Sequence, residues 1–381
     1  MSRRTTNFIR EIRLSTKYIT KGWKGKVIFL YFDKVRLYHT RNTMRILVTG
    51  FEAFGKDKIN PTSLLVETLP KKILHAEVDG LILPVVSDEA MPLFQKQLAK
   101  QYDGIILLGV ARGRSRIALE RVAINVDDYR IPDNAGVSKI DEIIEPTGPA
   151  AYFSTLPLRE MERVLKAHQI PAYVSNTAGT YLCNHMMYEA CHLHANTKVK
   201  CGFIHVPAIP EMVLEEDVAS MPLETLQKAL VLVIQTLILS FYDKVAVSAC
   251  LCGRNCKYNG GNNLNASLMT LLASHQIIEV CPECSGGMPT PRIPSEQKGD
   301  KVINSQGEDV TAFFKTGAQL ELNKCLEAQV DLAILQARSP SCGIDQVYDG
   351  TFTKTLIEGD GVFVKKLKAH HIECVSSEDC K

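Results

Sequence analysis

The chain has 381 residues, of which 45% are hydrophobic and 23% are charged, and its formal net charge is +2. This length predicts two domains, and the composition is ordinary for a globular protein. The net charge neither favours nor excludes nucleic acid, and the longest apolar run (229–242) is too short to span a membrane. The partners that we expect include neither nucleic acid nor a membrane.

The first 43 residues differ in composition from the rest of the chain. They carry eleven Lys and Arg residues against Glu11 and Asp33. They lack a periodic pattern, whereas a strand-like segment follows Met44. We interpret residues 1–43 as a basic extension that results from a start assigned upstream of Met44, with an amphipathic targeting segment as the alternative. Twelve cysteines without a secretory signal indicate a reducing compartment, and we expect the protein in the cytoplasm.

Strand-like and helix-like segments then alternate. We predict strands at 45–50, 81–86, 104–108, 117–126, 172–175 and 199–206, and helices from residue 60 and at 87–100, 149–168, 181–195 and 223–239. This alternation predicts an α/β fold with an open, mostly parallel sheet sandwiched by helices. The pattern restarts with strands at 244–249, 277–281 and 332–335 and a helix at 310–329. We therefore place a domain boundary near residue 242, followed by a smaller α/β domain at 243–381.

Three residues of the first domain suit acyl transfer. Cys183 lies where a loop enters a helix, His205 near the end of a strand, and Glu120 in another strand. Unpaired N–H groups at a helix start stabilise a thiolate, which lowers the pKa of the cysteine, and they can also hold an oxyanion. A cysteine, a histidine base and an orienting carboxylate form a sufficient set. From spacing alone, however, an inert core cysteine and ordinary polar residues are the more common explanation of these positions.

Residues 44–242 resemble the pyroglutamyl peptidase I family, the pyrrolidone-carboxylate cysteine peptidases, over their whole length. The matching segments are VTGFEAFG (48–55), NPTS (60–63), ERVAIN (120–125), RIPDN (130–134), VSNTAGTYLCN (174–184) and FIHVP (203–207). The resemblance implies a nucleophile, a general base and an orienting carboxylate at Cys183, His205 and Glu120. It also implies peptides with an amino-terminal pyroglutamate as substrates, no metal, and a homo-oligomer, since the family tends to form tetramers.

The same resemblance implies a substrate pocket in which Phe51 and Phe54 line the space for the lactam ring, with Arg130 as a further substrate-binding residue. Three positions depart from the family pattern. Arg112 replaces a small residue, Ala118 stands where Ser or Thr is common, and Val110 stands where several members have a polar ligand to the lactam. These departures bear on substrate affinity rather than on the type of reaction.

The second domain is rich in cysteine. From their spacing, Cys252, Cys256, Cys281 and Cys284 can make a tetrahedral zinc site. Iron–sulfur ligation suits the same soft thiolates, and buried cysteines without any ligand are a third interpretation. The sequence pattern alone leaves these three open.

Residues 243–381 also resemble a known family, the small bacterial domain that includes 2-thiouracil desulfurase. The matching segments are VSACL (247–251), KYNG (257–260), CPECSGGMPTPR (281–292), DVT (309–311), SPSCG (339–343) and YDG (348–350). The resemblance implies a [4Fe–4S] cluster held by Cys250, Cys281 and Cys342. It also implies removal of sulfur from a small thiolated heterocycle.

Glu283 and Ser341 lie near these cysteines in sequence, and either can position the attacking water. Cys284 departs from the family, where an apolar residue is usual, and as a fourth ligand it would close the site. The competing hypothesis keeps the peptidase and makes the second domain a zinc-binding or redox-sensing module. A partner domain without chemistry of its own is a further alternative.

Overall fold

A computed structural model describes residues 43–380 of the chain, so the predicted basic extension lies outside the described residues apart from Thr43. The first half contains nine strands: β1 Arg45–Phe51, β2 Lys72–Ile73, β3 Ala76–Leu83, β4 Gly104–Val110, β5 Ile117–Glu120, β6 Val122–Ile124, β7 Ala151–Phe153, β8 Ala172–Ser175 and β9 Lys200–Val206. Its helices are α1 Pro61–Glu67, α2 Ser87–Leu98, α3 Leu158–Ala167, α4 Leu182–His194 and α5 Leu223–Leu239.

Seven of these strands form one sheet in the order β2-β3-β1-β4-β9-β5-β8. Strands β3, β1, β4 and β9 are parallel, β5 runs antiparallel to β9, and β8 is parallel to β5. In β1, Ile46 and Val48 pack with the core on one face, whereas Leu47 and Phe51 pack with the core on the other. Because successive side chains of a strand point to opposite faces, this double burial requires helices on both sides of the sheet.

The second half contains β10 Lys244–Ser248, β11 Gln276–Val280, β12 Ser295–Lys298, β13 Lys301–Asn304, β14 Leu332–Leu335, β15 Gln346–Tyr348, β16 Leu356–Glu358 and β17 Glu373–Ser376. Its helices are α6 Ala266–Leu271, α7 Pro282–Ser285, α8 Thr311–Ala328 and α9 Val362–Ala369. Strands β11, β10, β14 and β17 form a parallel sheet in that order. The predicted α/β architecture with a second, smaller α/β part is therefore confirmed.

Helix α5 joins the two halves. It carries apolar side chains around most of its circumference, and eleven of its residues are buried. Leu237 and Ile238 belong to the same apolar cluster as Val245 of β10 and Leu332 of β14. Residues 240–243 alone separate α5 from β10, so the predicted boundary near residue 242 falls in this short connection. The described residues form one compact unit with a continuous core across α5.

Two segments differ from the sequence prediction. The predicted strand at 117–126 is broken at Arg121, because β5 joins the large sheet whereas β6 pairs with β7. The predicted helix at 149–168 begins only at Leu158, since Ala151–Phe153 form β7 instead. None of the helices in the described part of the chain combines the length and the apolar character that a bilayer-spanning helix needs.

Candidate functional site

Cys183 is the second residue of α4, which begins directly after the extended Tyr181. Burial raises the pKa of the Cys183 thiol to about 12, and the negative charge of Glu120 adds to this effect. The backbone N–H of Cys183 and the charge of Arg114 act in the opposite direction. The helix start lowers this pKa as expected, but burial outweighs it, so the net shift is upward. At neutral pH the resting site holds a neutral thiol that needs a base.

His205 of β9 lines the same cavity as Cys183. It is buried, and its Nδ1 lies 2.8 Å from Oε1 of Glu120, the last residue of β5. Strands β5 and β9 are antiparallel neighbours, and Ala118 of β5 lies opposite His205 of β9. Glu120 is two residues after Ala118, so its side chain lies on the same face of the sheet as those of Ala118 and His205. A carboxylate can only accept a hydrogen bond, so Nδ1 is the donor in this contact, which leaves Nε2 as the nitrogen that faces away from Glu120.

Glu120 is ionised at neutral pH despite being fully buried. Burial alone would raise the pKa of its carboxyl, but the hydrogen bond with His205 and the other contacts of the carboxylate together outweigh burial and lower it. Arg114 and the nearby Ser175 lower this pKa as well. Nη1 of Arg114 lies 2.8 Å from Oε1 of Glu120. The carboxylate can therefore hold the imidazole of His205 in one orientation.

A cavity of about 470 Å³ lies at this site. Cys183 and His205 line it together with the three predicted substrate-binding residues, Phe51, Phe54 and Arg130. Its volume lies in the usual range for small-molecule sites, of about 300–1,000 Å³. The structure thus brings a thiol, a buried histidine–carboxylate pair and two aromatic walls to one place.

The cysteines that the second resemblance implicates follow three neighbouring parallel strands. Cys281 comes directly after β11, Cys250 lies in the turn after β10, and Cys342 lies in the loop after β14. Carboxyl ends of adjacent parallel strands meet at one edge of a sheet. Cys281 and Cys342 are close enough for the charge of one to affect the pKa of the other thiol. Soft thiolates at one edge fit an iron–sulfur cluster or zinc.

Two further thiols accompany this set. The Cys256 thiol lies close enough to those of Cys250 and Cys281 for these neighbours to affect its pKa, and the Cys284 thiol likewise affects the pKa of Cys281. Among residues 43–380, however, no three His, Cys, Asp or Glu side chains already have an arrangement that could hold a metal ion. The structure thus places Cys256 and Cys284 beside Cys281.

Glu283 and Ser341 lie in the same region. The Glu283 carboxylate accepts hydrogen bonds from Arg292 Nε at 2.7 Å and from Ser339 Oγ at 3.4 Å. Burial is the main cause that raises the pKa of the Cys342 thiol, and the negative charge of Glu283 raises it further. Glu283 therefore lies near Cys342. Ser341 is fully buried, and its Oγ has no hydrogen-bond partner in the described part of the chain.

Comparisons with known proteins match two separate parts of the chain. The family model of pyroglutamyl peptidase matches residues 44–240, which is more than half of the chain. The chain belongs to the pyroglutamyl peptidase family. The model of 2-thiouracil desulfurase matches residues 245–379. The first half of the chain is therefore an enzyme domain. The second half is similar to 2-thiouracil desulfurase.

Curated relatives and solved structures match the peptidase half. The pyrrolidone-carboxylate peptidase of Staphylococcus saprophyticus is 43% identical over 209 residues, which cover 54% of this chain and 98% of the relative. That of Pyrococcus furiosus is 48% identical over 178 residues, covering 45% and 85% respectively. The structure of the Thermococcus litoralis enzyme has a TM-score of 0.51 at 39% identity and covers 52% of this chain and 94% of its own.

Sequence reasoning missed one member of the peptidase site. Arg114 lines the cavity and binds Glu120, but its position in a glycine-containing loop gave no signal of this contact. Of the three departures, Val110 lines the cavity, and Ala118 is buried opposite His205. Arg112 forms ion pairs with Asp57 and Glu216.

Proposed function

We propose that the first domain hydrolyses the amide bond after an amino-terminal pyroglutamyl residue, with Cys183 as the nucleophile. The observation that carries this proposal is the 2.8 Å hydrogen bond between His205 Nδ1 and Glu120 Oε1, in a cavity that His205 shares with Cys183. Pyroglutamate has no free α-amine, so recognition relies on the flat ring. The aromatic walls of Phe51 and Phe54 suit such a ring.

The reaction proceeds in two halves. The sulfur of Cys183 attacks the pyroglutamyl carbonyl carbon while Nε2 of His205 takes the thiol proton. The imidazolium then gives this proton to the leaving amine as the C–N bond breaks, which leaves a thioester on Cys183. Water, losing a proton to Nε2, attacks the thioester and releases pyroglutamate, and the proton returns to the thiol. Backbone N–H groups at the start of α4 can hold the oxyanion of both halves.

The test measures release of aminomethylcoumarin from its pyroglutamyl amide and, as a specificity control, from its prolyl amide, which lacks the ring carbonyl. The wild-type protein is expected to cleave the first and not the second. The C183S variant is expected to be inactive, because a serine hydroxyl is a far weaker nucleophile. C191A is the matched control, since Cys191 lies buried in the same helix. Cleavage by C183S would refute the assigned nucleophile.

We propose that the enzyme acts in the cytoplasm as a homo-oligomer, a tetramer by family resemblance. Two observations support this. All twelve cysteines are free thiols, which suits a reducing compartment. Ile140, Ile143 and Phe153 are exposed by 65–75% of their surface, and large exposed apolar side chains commonly mark interfaces between subunits. Light scattering of the purified protein measures the mass directly, and a monomeric mass would contradict the oligomer.

For the second domain we propose a [4Fe–4S] cluster held by Cys250, Cys281 and Cys342, and removal of sulfur from a small thiolated heterocycle. A cluster with three protein ligands supplies an open iron that can bind a thiocarbonyl sulfur. The support is the position of the three thiols at one sheet edge. Glu283, held by Arg292, and the buried Ser341 are the residues proposed to position water.

A zinc-binding or redox-sensing module is the second candidate. The observation that favours it is the mutual influence of Cys250, Cys256, Cys281 and Cys284 on their pKa values, which indicates that the four thiols lie near one another, and four thiolates are a zinc donor set. Cys252, part of the zinc set suggested by spacing, shows no influence from these thiols on its pKa.

Metal and acid-labile sulfide analysis of anaerobically purified protein separates these candidates. We expect iron and sulfide in equal amounts, and their loss in C250A, C281A and C342A. The C325A variant is the matched control, because Cys325 is buried in α8 outside the group. Zinc in stoichiometric amount without iron would refute the cluster.

A further inference from the structure

Arg114 lies in the loop between β4 and β5, within reach of the peptidase site. Its Nη1 lies 2.8 Å from Oε1 of Glu120, the same oxygen that accepts from His205 Nδ1. Its side chain is 31% exposed and lines the cavity that also contains Cys183. One guanidinium therefore contacts the orienting carboxylate and also faces the space in which the substrate reacts.

We propose that Arg114 is a positioning residue of the peptidase: it fixes Glu120 and supplies the positive charge that the enclosed site needs when Cys183 ionises. This inference rests on the proposed peptidase function. It assigns a role to a residue outside the cysteine, histidine and glutamate set.

The charges around Cys183 explain the need for this cation. Glu120 and Arg114 act directly on its pKa, and the other titratable or charged groups that line the cavity are His205, Tyr181, Asp128 and Arg130, the last two of opposite charge. Before proton transfer, the Glu120 carboxylate and the Arg114 guanidinium balance each other. After transfer, the thiolate and the imidazolium balance each other as well, so the site stays neutral at both stages. Without Arg114 a buried site would hold one excess negative charge, which is costly in a medium of low polarity.

The direction of the electrostatic effect agrees with this balance. Burial and the charge of Glu120 raise the pKa of the Cys183 thiol, whereas Arg114 opposes them. Burial has the largest effect on the pKa of Glu120 and raises it, whereas His205 lowers it. Arg114 makes a smaller contribution that also lowers this pKa. Removal of the guanidinium is therefore expected to disfavour the thiolate and to loosen the carboxylate.

Arg116 provides a matched control. It lies two residues further along the same loop, is exposed, and stacks over the ring of Tyr173 at 4.5 Å rather than binding Glu120. A substitution of Arg116 removes the same charge from the same loop without touching the site. Loop disruption or a general change of surface charge should therefore affect both arginine variants equally.

The first experiment measures alkylation of Cys183 by iodoacetamide, followed by mass spectrometry of the peptide that contains it. Only the thiolate reacts, so the rate reports its population. Between about pH 7 and 9, R114Q is expected to react about tenfold more slowly than wild type, which corresponds to a shift of about one pKa unit. R114K, which keeps the charge, should recover most of the rate, and R116Q should match wild type. Circular dichroism verifies that each variant is folded.

The second experiment measures hydrolysis of the pyroglutamyl coumarin amide. R114Q is expected to lose about a hundredfold in kcat/KM, mainly in kcat, because a loosened Glu120 no longer orients His205. Wild-type alkylation rates in folded R114Q, or an R114K variant as slow as R114Q, would overturn the inference. A wild-type protein that does not cleave the substrate would instead refute the peptidase proposal, and the alkylation result would stand independently of it.

Discussion

Gly109 of β4 leaves open the space beside the sulfur of Cys183. A Cβ atom at position 109 would lie 3.1 Å from this sulfur and 2.8 Å from a ring carbon of Phe203. Both distances are shorter than ordinary contacts, so G109A must displace the thiol or the ring. We predict that kcat/KM for the pyroglutamyl coumarin amide falls about tenfold, since a 1 Å misplacement of a reacting atom can cost about a hundredfold and the shift required here is smaller.

The control for this prediction is G261A in the second domain. A Cβ at position 261 would meet a side-chain oxygen at 3.3 Å, a mild contact far along the chain from the cavity residues. This variant should hydrolyse the substrate at the wild-type rate. Unchanged kinetics in folded G109A would show that the space beside Cys183 is not needed for catalysis.

Arg112, which replaces a small residue of the family, links two loops near the cavity. It forms ion pairs with Asp57 and, through Nη2, with Glu216 Oε2 at 2.6 Å. The N–H of Asp57 donates to the carbonyl of Phe54, a wall of the cavity, at 3.1 Å. We predict that R112A raises KM about three- to tenfold with little change in kcat, because the aromatic wall is less well held while the chemistry is untouched.

Steady-state kinetics at low and high salt test this link. Salt screens partly exposed ion pairs, so KM of the wild type should rise with ionic strength, whereas KM of R112A should change less. The K56A variant is the control, because Lys56 also pairs with Glu216 but its side chain is 79% exposed. A wild-type KM in R112A would contradict a role for Arg112 in holding the pocket.

Local patterns in the sequence predicted much of this fold. The helix at 223–239 and the strands at 172–175 and 332–335 match the structure in full, because each is a run with one clear periodicity. The segment 151–153 was misassigned to a helix because its conformation depends on pairing with β6, a distant segment. Such pairing is set by tertiary contacts rather than by local propensity.

The peptidase site shows the same division. Motifs placed Glu120, Cys183 and His205, and strand register brings the last residue of β5 beside β9. The contact of Arg114 with Glu120 depends on the path of a loop, which periodicity does not describe. The sequence also could not predict the direction in which the pKa of Cys183 shifts, because this depends on how fully the folded chain buries the thiol.

The shared core at α5 predicts that the two halves unfold together. Gln235 of α5 is buried, and its Nε2 donates to the carbonyl of Asp379 at 3.0 Å. Q235A leaves this carbonyl without its partner, so we predict a loss of about 1–2 kcal/mol in the free energy of unfolding. Urea unfolding, monitored by circular dichroism, should show a single transition for the wild type and for Q235A. Q227A, on the same helix but bound to the exposed Thr68, should change stability by less than about 0.5 kcal/mol. Two separate transitions would contradict a shared core.

Cys284 tests whether the proposed cluster has an open iron. Its sulfur lies 3.6 Å from Thr290 Oγ1 and 4.0 Å from the carbonyl oxygen of Cys256, so it has partners other than a metal. We predict that C284A keeps the iron and sulfide content of the wild type, whereas C281A loses both, because only the latter removes a proposed ligand.

A second experiment follows oxidation of the cluster. A cluster with three thiolate ligands loses its open iron on mild oxidation, so wild type and C284A should yield the three-iron form at the same rate, measured by electron paramagnetic resonance. Resistance of the wild type, together with loss of iron in C284A, would instead identify Cys284 as the fourth ligand and the second domain as a closed site.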